Sequence, residues 1–235
     1  MTKILNEWTV MPHGPLTQLD TGLWTVTGEL HMPLTPLQRR MTVVRLNDGS
    51  LIIYSAIALA EPEMKRIEAA GTPAFLIVPG KLHRLDAKIW KQRYPQLKVL
   101  APISARDAAE EAVHVDATDF DFPDTSVDFI TVGGTSGFEA ALMVRRESGT
   151  TLIVNDIIGN MPKDAGLVLR LTRFAGGEPH IPLPIKMGFK DKAGLREQLQ
   201  WWAREPNLKR ILMSHGDPIE GDVSGQLRAL ADTLS

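Results

Sequence analysis

The chain contains no cysteine. Disulfides, thiolate nucleophiles and cysteine-based zinc sites are excluded, so any metal has to be held by His, Asp or Glu. Charge of one sign is lacking too: 26 Lys and Arg against 28 Asp and Glu leave a formal net charge of −2. No long-range field draws nucleic acid or an anionic membrane, and neither is expected as a partner. No apolar run approaches the roughly 20 residues that cross a bilayer. The opening MTKILNEWTVMPHG lacks the apolar segment of a signal peptide, so a cytoplasmic protein is expected. Two nucleotide motifs are missing: the phosphate loop Gly-x-x-x-x-Gly-Lys-Ser/Thr, and a Gly-x-Gly-x-x-Gly opening a helix. The stretch Gly133 to Gly137 reads Gly-Gly-Thr-Ser-Gly, which has neither the order nor the strand–turn–helix context of a nucleophile elbow.

What is present is enough for a sizeable core: 235 residues, 43% of them hydrophobic. One domain over 1–235 is expected, opening with a Pro/Gly/Thr-rich arm over 1–21 and a first strand over 23–27. Strands over 41–46 and 50–54 flank Asn47-Asp48-Gly49, a hairpin signal because these residues tolerate φ > 0. The pattern then gives a helix over 61–70 between Pro62 and Gly71. A strand over 74–78, a helix over 86–94, a strand over 98–101 and a short helix over 106–112 follow. Strands over 128–132 and 140–145 are joined through GGTSGF, and another runs over 151–154. A Pro/Gly-rich connection over 159–188 has the length of a functional flap or crossover. A helix over 192–204 carrying Trp201 and Trp202, a strand over 209–213 and a helix over 223–234 close the chain. Hairpin regions alternating with βα units call for two mixed sheets covered by outer helices, an α/β (α+β) architecture.

Three strand ends carry polar residues in the same manner: Pro79-Gly80 followed by His83 and Asp86, then Asn155-Asp156, then Ser214-His215-Gly216. In open α/β sheets, ligands sit beyond the carboxyl ends of strands. These corners are expected to meet.

Over roughly residues 22–235 the order of elements and four corners resemble the metallo-β-lactamase-like superfamily. The hairpin MTVVRLNDGSLIIYS is similar to the family's early hairpin. LIVPGKLHRLD lies where the family has its His-x-His-x-Asp-His metal loop, and VGGTSGFEAALMV lies where it has a Gly-His-Thr-x-Gly corner. LIVNDIIG and ILMSHGDPI resemble the strands ending in the metal aspartate and the last metal histidine. The resemblance implies a four-layer αββα sandwich and a metal-dependent hydrolase. It also shows departures, because Gly80, Leu82, Arg84, Leu85 and Gly134 stand where family metal ligands would be, and only Asp156 and His215 match without a shift.

The surviving metal candidates are His83, Asp86, Asp156 and His215, two imidazoles and two carboxylates suited to one Zn, Mn or Fe ion. Asp156 and His215 are the catalytic candidates. A metal closed by this set would acidify bound water near neutral pH into a hydroxide nucleophile for a small ester, lactone, thioester or phosphoester. Each residue also has a structural reading: His83 packs or caps, Asp86 caps the helix that follows it, Asn155-Asp156 is a turn pair, and His215 is held by hydrogen bonds in its turn. His31, Arg84 and His180 are candidates for binding a small-molecule ligand or substrate, with Arg84 able to replace a metal charge and face Asp156 or an anion. His13 and His114 read as surface residues. The rival reading is a metal-free, non-catalytic member that binds a small anion or a protein partner; a third is a homo-oligomer formed through the Trp201-Trp202 helix.

Overall fold

The computed structural model describes residues 4–31, 36–162, 176–189 and 191–234. Its first sheet has six strands in sequential order: β1 (Thr17–Asp20), β2 (Leu23–His31), β3 (Pro36–Arg45), β4 (Ser50–Tyr54), β5 (Thr72–Ile77) and β6 (Lys98–Leu100). The Asn47-Asp48-Gly49 turn makes β3 and β4 antiparallel, with Val44 opposite Ile52. Asp48 Oδ1 accepts from the Ser50 amide at 2.9 Å and its hydroxyl at 2.6 Å, and Gly49 takes φ 86°. Beyond the turn β4, β5 and β6 run parallel, separated by α1 (Glu61–Ala70) and α2 (Ala87–Arg93). Helix α1 starts with Pro62 in its first turn and buries Met64 and Ile67 on one stripe. It stops at Gly71, where a Cβ would strike the Gly49 carbonyl. Helix α2 buries Ile89 and Trp90 and gives way at Tyr94, which precedes Pro95.

The second sheet has five strands: β7 (Val127–Thr131), β8 (Ala140–Arg146), β9 (Gly149–Val154), β10 (Leu208–Met213) and β11 (Ile219–Glu220), in the order β11-β10-β9-β8-β7. Strands β9 and β10 are parallel with Met213 opposite Val154, so their carboxyl ends lie side by side. Helices α3 (Arg106–Glu110), α4 (Leu183–Gly188), α5 (Lys192–Trp202) and α6 (Val223–Asp232) complete the described elements.

Three apolar layers hold four layers of structure together. Met64, Ile67, Ile89, Trp90 and Ala109 pack from α1, α2 and α3 onto one face of the first sheet. Leu195, Leu199, Trp202, Leu227 and Leu230 pack from α5 and α6 onto one face of the second. Between the sheets lie Leu23, Val44, Ile52, Tyr54 and Ile77 against Val127, Leu142, Val144, Ile153 and Leu212. The chain is an αββα sandwich, as the order of its elements implied.

The structure adds detail at three places. The arm over 1–21 is not wholly irregular, since residues 17–20 pair with β2 as an edge strand. Strand β11, which pairs with β10 through Ile219, was not anticipated. On α5, Trp202 is fully buried in the α5–α6 core and Trp201 is 44% exposed. Residues 163–175 of the long connection lie outside the described residues. Among the described residues no helix is long and apolar enough to cross a membrane.

Candidate metal centre

Beyond β5 the chain turns at Pro79-Gly80, whose Pro79 carbonyl accepts from the Ala140 amide at 2.9 Å and so ties this corner to the start of β8. The turn continues through His83, whose amide bonds the Gly80 carbonyl at 3.2 Å. Ser55, one residue past β4, sits at φ 55° with its amide on the Ile77 carbonyl. That left-handed backbone brings Ser55 Oγ within 2.9 Å of His83 Nδ1. Asp156 stands two residues past β9 and His215 two past β10. The parallel register of these strands places the carboxylate and the ring side by side.

The three residues converge. His83 Nε2 lies 3.3 Å from Asp156 Oδ1 and His215 Nε2 lies 3.4 Å from the same oxygen. The ring centroids are 5.2 Å apart, and one donor atom from each residue falls within 4.8 Å of the others. No other group of three His, Asp or Glu among the described residues meets that spacing. Their side chains are 8 to 14% exposed.

Protonation decides what such a group can hold. His215 Nδ1 is 2.5 Å from the Gln38 carbonyl, which only accepts, so this nitrogen carries the proton. Burial lowers the His215 pKa against the opposing pull of Asp156, which favours the neutral ring with a lone pair on Nε2. Burial by itself would raise the Asp156 pKa, but His83 and then His215 bring it down to about 2. With Nδ1 turned to the Gln38 carbonyl, His215 Nε2 faces the Asp156 carboxylate, an arrangement a cation satisfies. Two imidazole nitrogens and one carboxylate fit a zinc-like ion with an open coordination position, each ring being oriented through its far nitrogen.

Glu139 lies behind this group, 6% exposed, and its Oε2 accepts from the Asp156 amide at 3.3 Å. Burial, then the neighbouring Asp156 charge, pushes its pKa well above the ordinary value. That shift favours the neutral acid, and the Glu139 carboxyl anchors the Asp156 backbone.

Asp86 is not brought to the centre. Its carboxylate pairs with Arg39 and accepts from the Ala58 amide at 2.9 Å, in full burial. Nor does it cap α2, since it makes no side-chain capping bond there. Arg84 does not face Asp156 either: it bonds Glu111 at 2.6 Å and the Lys81 carbonyl. His180 contacts the Glu178 carbonyl at 2.8 Å and pairs through its backbone with Gly159. The side chain of His31 lies outside the described residues. His13 is half-buried rather than superficial, its Nε2 accepting the Ala60 amide at 3.0 Å at the start of α1. His114 is exposed, as expected. Sequence reasoning missed Ser55, the Gln38 carbonyl and Glu139. A backbone carbonyl leaves no trace in residue type, but an acid set directly before the apolar run AALMV was a usable signal.

Two mixed sheets stacked between helices, with this group across the strand ends, make the metallo-β-lactamase fold. Among solved structures, the chain is similar to DIM-1 metallo-beta-lactamase exposed to ceftazidime, with 12% identity over 97% of this chain and 100% of that one and a TM-score of 0.64. It is similar to the mono-zinc form of metallo-beta-lactamase FIM-1 from Pseudomonas aeruginosa, with 13% identity, 95% and 96% coverage and a TM-score of 0.62. A metallo beta lactamase from Hirschia baltica aligns at 12% identity over 94% and 98% of the two chains, with a TM-score of 0.60. At these identities the likeness is one of fold. No family model and no curated protein matches the sequence.

Proposed function

We propose that this chain is a divergent member of the metallo-β-lactamase-like superfamily, holding one metal ion on His83, Asp156 and His215 to hydrolyse a small ester, lactone, thioester or phosphoester. The observation that carries the reading is the Nε2 lone pair of His215 aimed at an ionised Asp156, with His83 Nε2 at a similar distance from the same oxygen. Bound there, zinc (or Mn or Fe) would supply Lewis acidity and lower the pKa of water. The chain's own residues do the rest. Asp156 contributes the negative charge, Ser55 and the Gln38 carbonyl fix the two rings, and Glu139 holds the Asp156 backbone.

A single ion rather than a pair is supported by two glycines. A Cβ at Gly80 would lie 2.7 Å from Asn155 Nδ2 and 3.3 Å from Glu139 Oε1. At Gly134, with φ 76°, a Cβ would run into the Leu195 backbone nitrogen and lie 2.5 Å from the Asp191 carbonyl. Backbone closes Gly134 to the histidine the resemblance leads one to expect, and at Gly80 Asn155 would have to move aside to admit one. The same observation favours the second reading, a non-catalytic member whose pocket takes a small anion or whose surface takes a protein.

Metal analysis of protein purified without chelator separates them. About one equivalent of metal, falling below roughly a tenth in His83→Ala, Asp156→Ala and His215→Ala, is expected for a three-ligand site. Less than about a tenth in the unaltered protein would sink the metal reading. Bound metal with no chelator-sensitive hydrolysis of model esters, lactones, thioesters and phosphoesters would favour the second.

A further inference from the structure

Arg40 in β3 is 5% exposed and belongs to the first sheet, yet most of its hydrogen bonds go to the end of β10 in the second. Its Nε donates to the Met213 carbonyl at 3.1 Å and its Nη2 to the Gly216 carbonyl at 2.8 Å. Its backbone amide donates to the Ser214 carbonyl at 2.8 Å, and Nη1 is held by Thr25 Oγ1 at 3.2 Å. The turn carrying His215 is thus gripped at residues on both sides of the histidine. On its other flank the turn rests on Asn160, whose carbonyl accepts from the Asp217 amide and whose Nδ2 donates to the Asp217 carbonyl, each at 3.0 Å.

Among the described residues no carboxylate lies within ion-pair distance of Arg40. The Asp217 charge acts on Arg40 only from beyond that distance. Burying a cation on carbonyls and one hydroxyl costs stability that an apolar side chain of similar size would not, and such groups can be kept where they define one geometry. The planar fork of arginine can take two carbonyls at once, where lysine offers a point charge.

We infer that Arg40 is a positioning residue for His215, setting the direction of its ring through the main chain on both sides and keeping Nδ1 on the Gln38 carbonyl. The inference rests on the one-metal reading of the site, but half of its test does not.

Arg40→Met and the milder Thr25→Val, which frees Nη1 and the Met41 carbonyl but leaves the bonds to the β10 turn, are compared with the unaltered protein. Trp90→Phe serves as a core variant away from the site. In chelator-treated protein near pH 8, where the ring is neutral, long-range 1H–15N correlation reads the His215 tautomer. A single Nδ1–H tautomer is expected in the unaltered protein and in Trp90→Phe, and a mixture in Arg40→Met. Zinc affinity, measured by chelator competition, is expected to fall about 10–100-fold in Arg40→Met and by a smaller factor in Thr25→Val. An unchanged tautomer with affinity within about twofold in Arg40→Met overturns the inference. If that variant does not fold, Thr25→Val decides by the same two readings. Failure of the unaltered protein to bind zinc overturns the metal reading, while the tautomer comparison still decides the role of Arg40.

Discussion

Asp86 and Asp156 are the same residue type at similar corners, and their neighbours give them different work. Asp86 is spent on Arg39 and the Ala58 amide. Removing one partner of a buried pair leaves the other uncompensated, so Asp86→Ala is expected to cost about 3–5 kcal/mol in denaturant unfolding. The surviving folded protein should keep its full metal content, and loss of metal would return Asp86 to the list of ligands. Glu139 gives a second test at this scale. Its folded pKa is raised, so the folded state binds a proton that the unfolded state has released. Stability from this group is complete below the ordinary glutamate value and is lost as pH rises toward the folded one. In chelator-treated protein, Glu139→Gln should therefore gain in thermal midpoint over the unaltered protein progressively as pH rises from about 4.5 to 8. A difference that stays flat across that range would show Glu139 to be ionised in the fold. Residue types alone marked Asp156, His215 and His83 as candidates. They could not tell Asp86 apart, because its partner Arg39 lies 47 positions away and no local pattern links the two.

At the scale of elements, the local signals were strong where the chain decides its own conformation. The Asn-Asp-Gly hairpin and the span of α1 between Pro62 and Gly71 follow from turn and capping chemistry acting within a few residues. Strands β1 and β11 escaped because TQLD and IE have no apolar alternation and exist by pairing with a neighbour. The two tryptophans of α5 were indistinguishable for a related reason, since the α5 register that buries one depends on α6 and β10. Trp202→Ala is expected to cost about 3–5 kcal/mol and Trp201→Ala less than about 0.5 kcal/mol in the same unfolding measurement. Similar losses at both positions would mean that Trp201 is covered in solution. Gly134 shows the opposite case, a position closed by the backbone of the α5 entry. Its replacement by alanine should cost at least about 1 kcal/mol, from both the positive φ and the lack of room.

At the scale of the molecule, the αββα arrangement was legible from element order, whereas the site's supporting contacts were not, because they join the sheets across most of the chain. If a metal ion binds the folded form alone, saturation at about a hundred times Kd adds roughly 2.7 kcal/mol. Treatment with chelator is then expected to lower the thermal midpoint of the unaltered protein and to leave that of His215→Ala where it was. The grip of Arg40 on the β10 turn has a further consequence during synthesis. Its carbonyl partners lie 173 and 176 positions downstream. In a chain that stops short of β10 this cation lacks those partners, although Leu23, Val44 and Ile52 can already be met by β7 to β9. The strand made near the end of the chain thus completes the surroundings of a buried cation that belongs to the sheet made first.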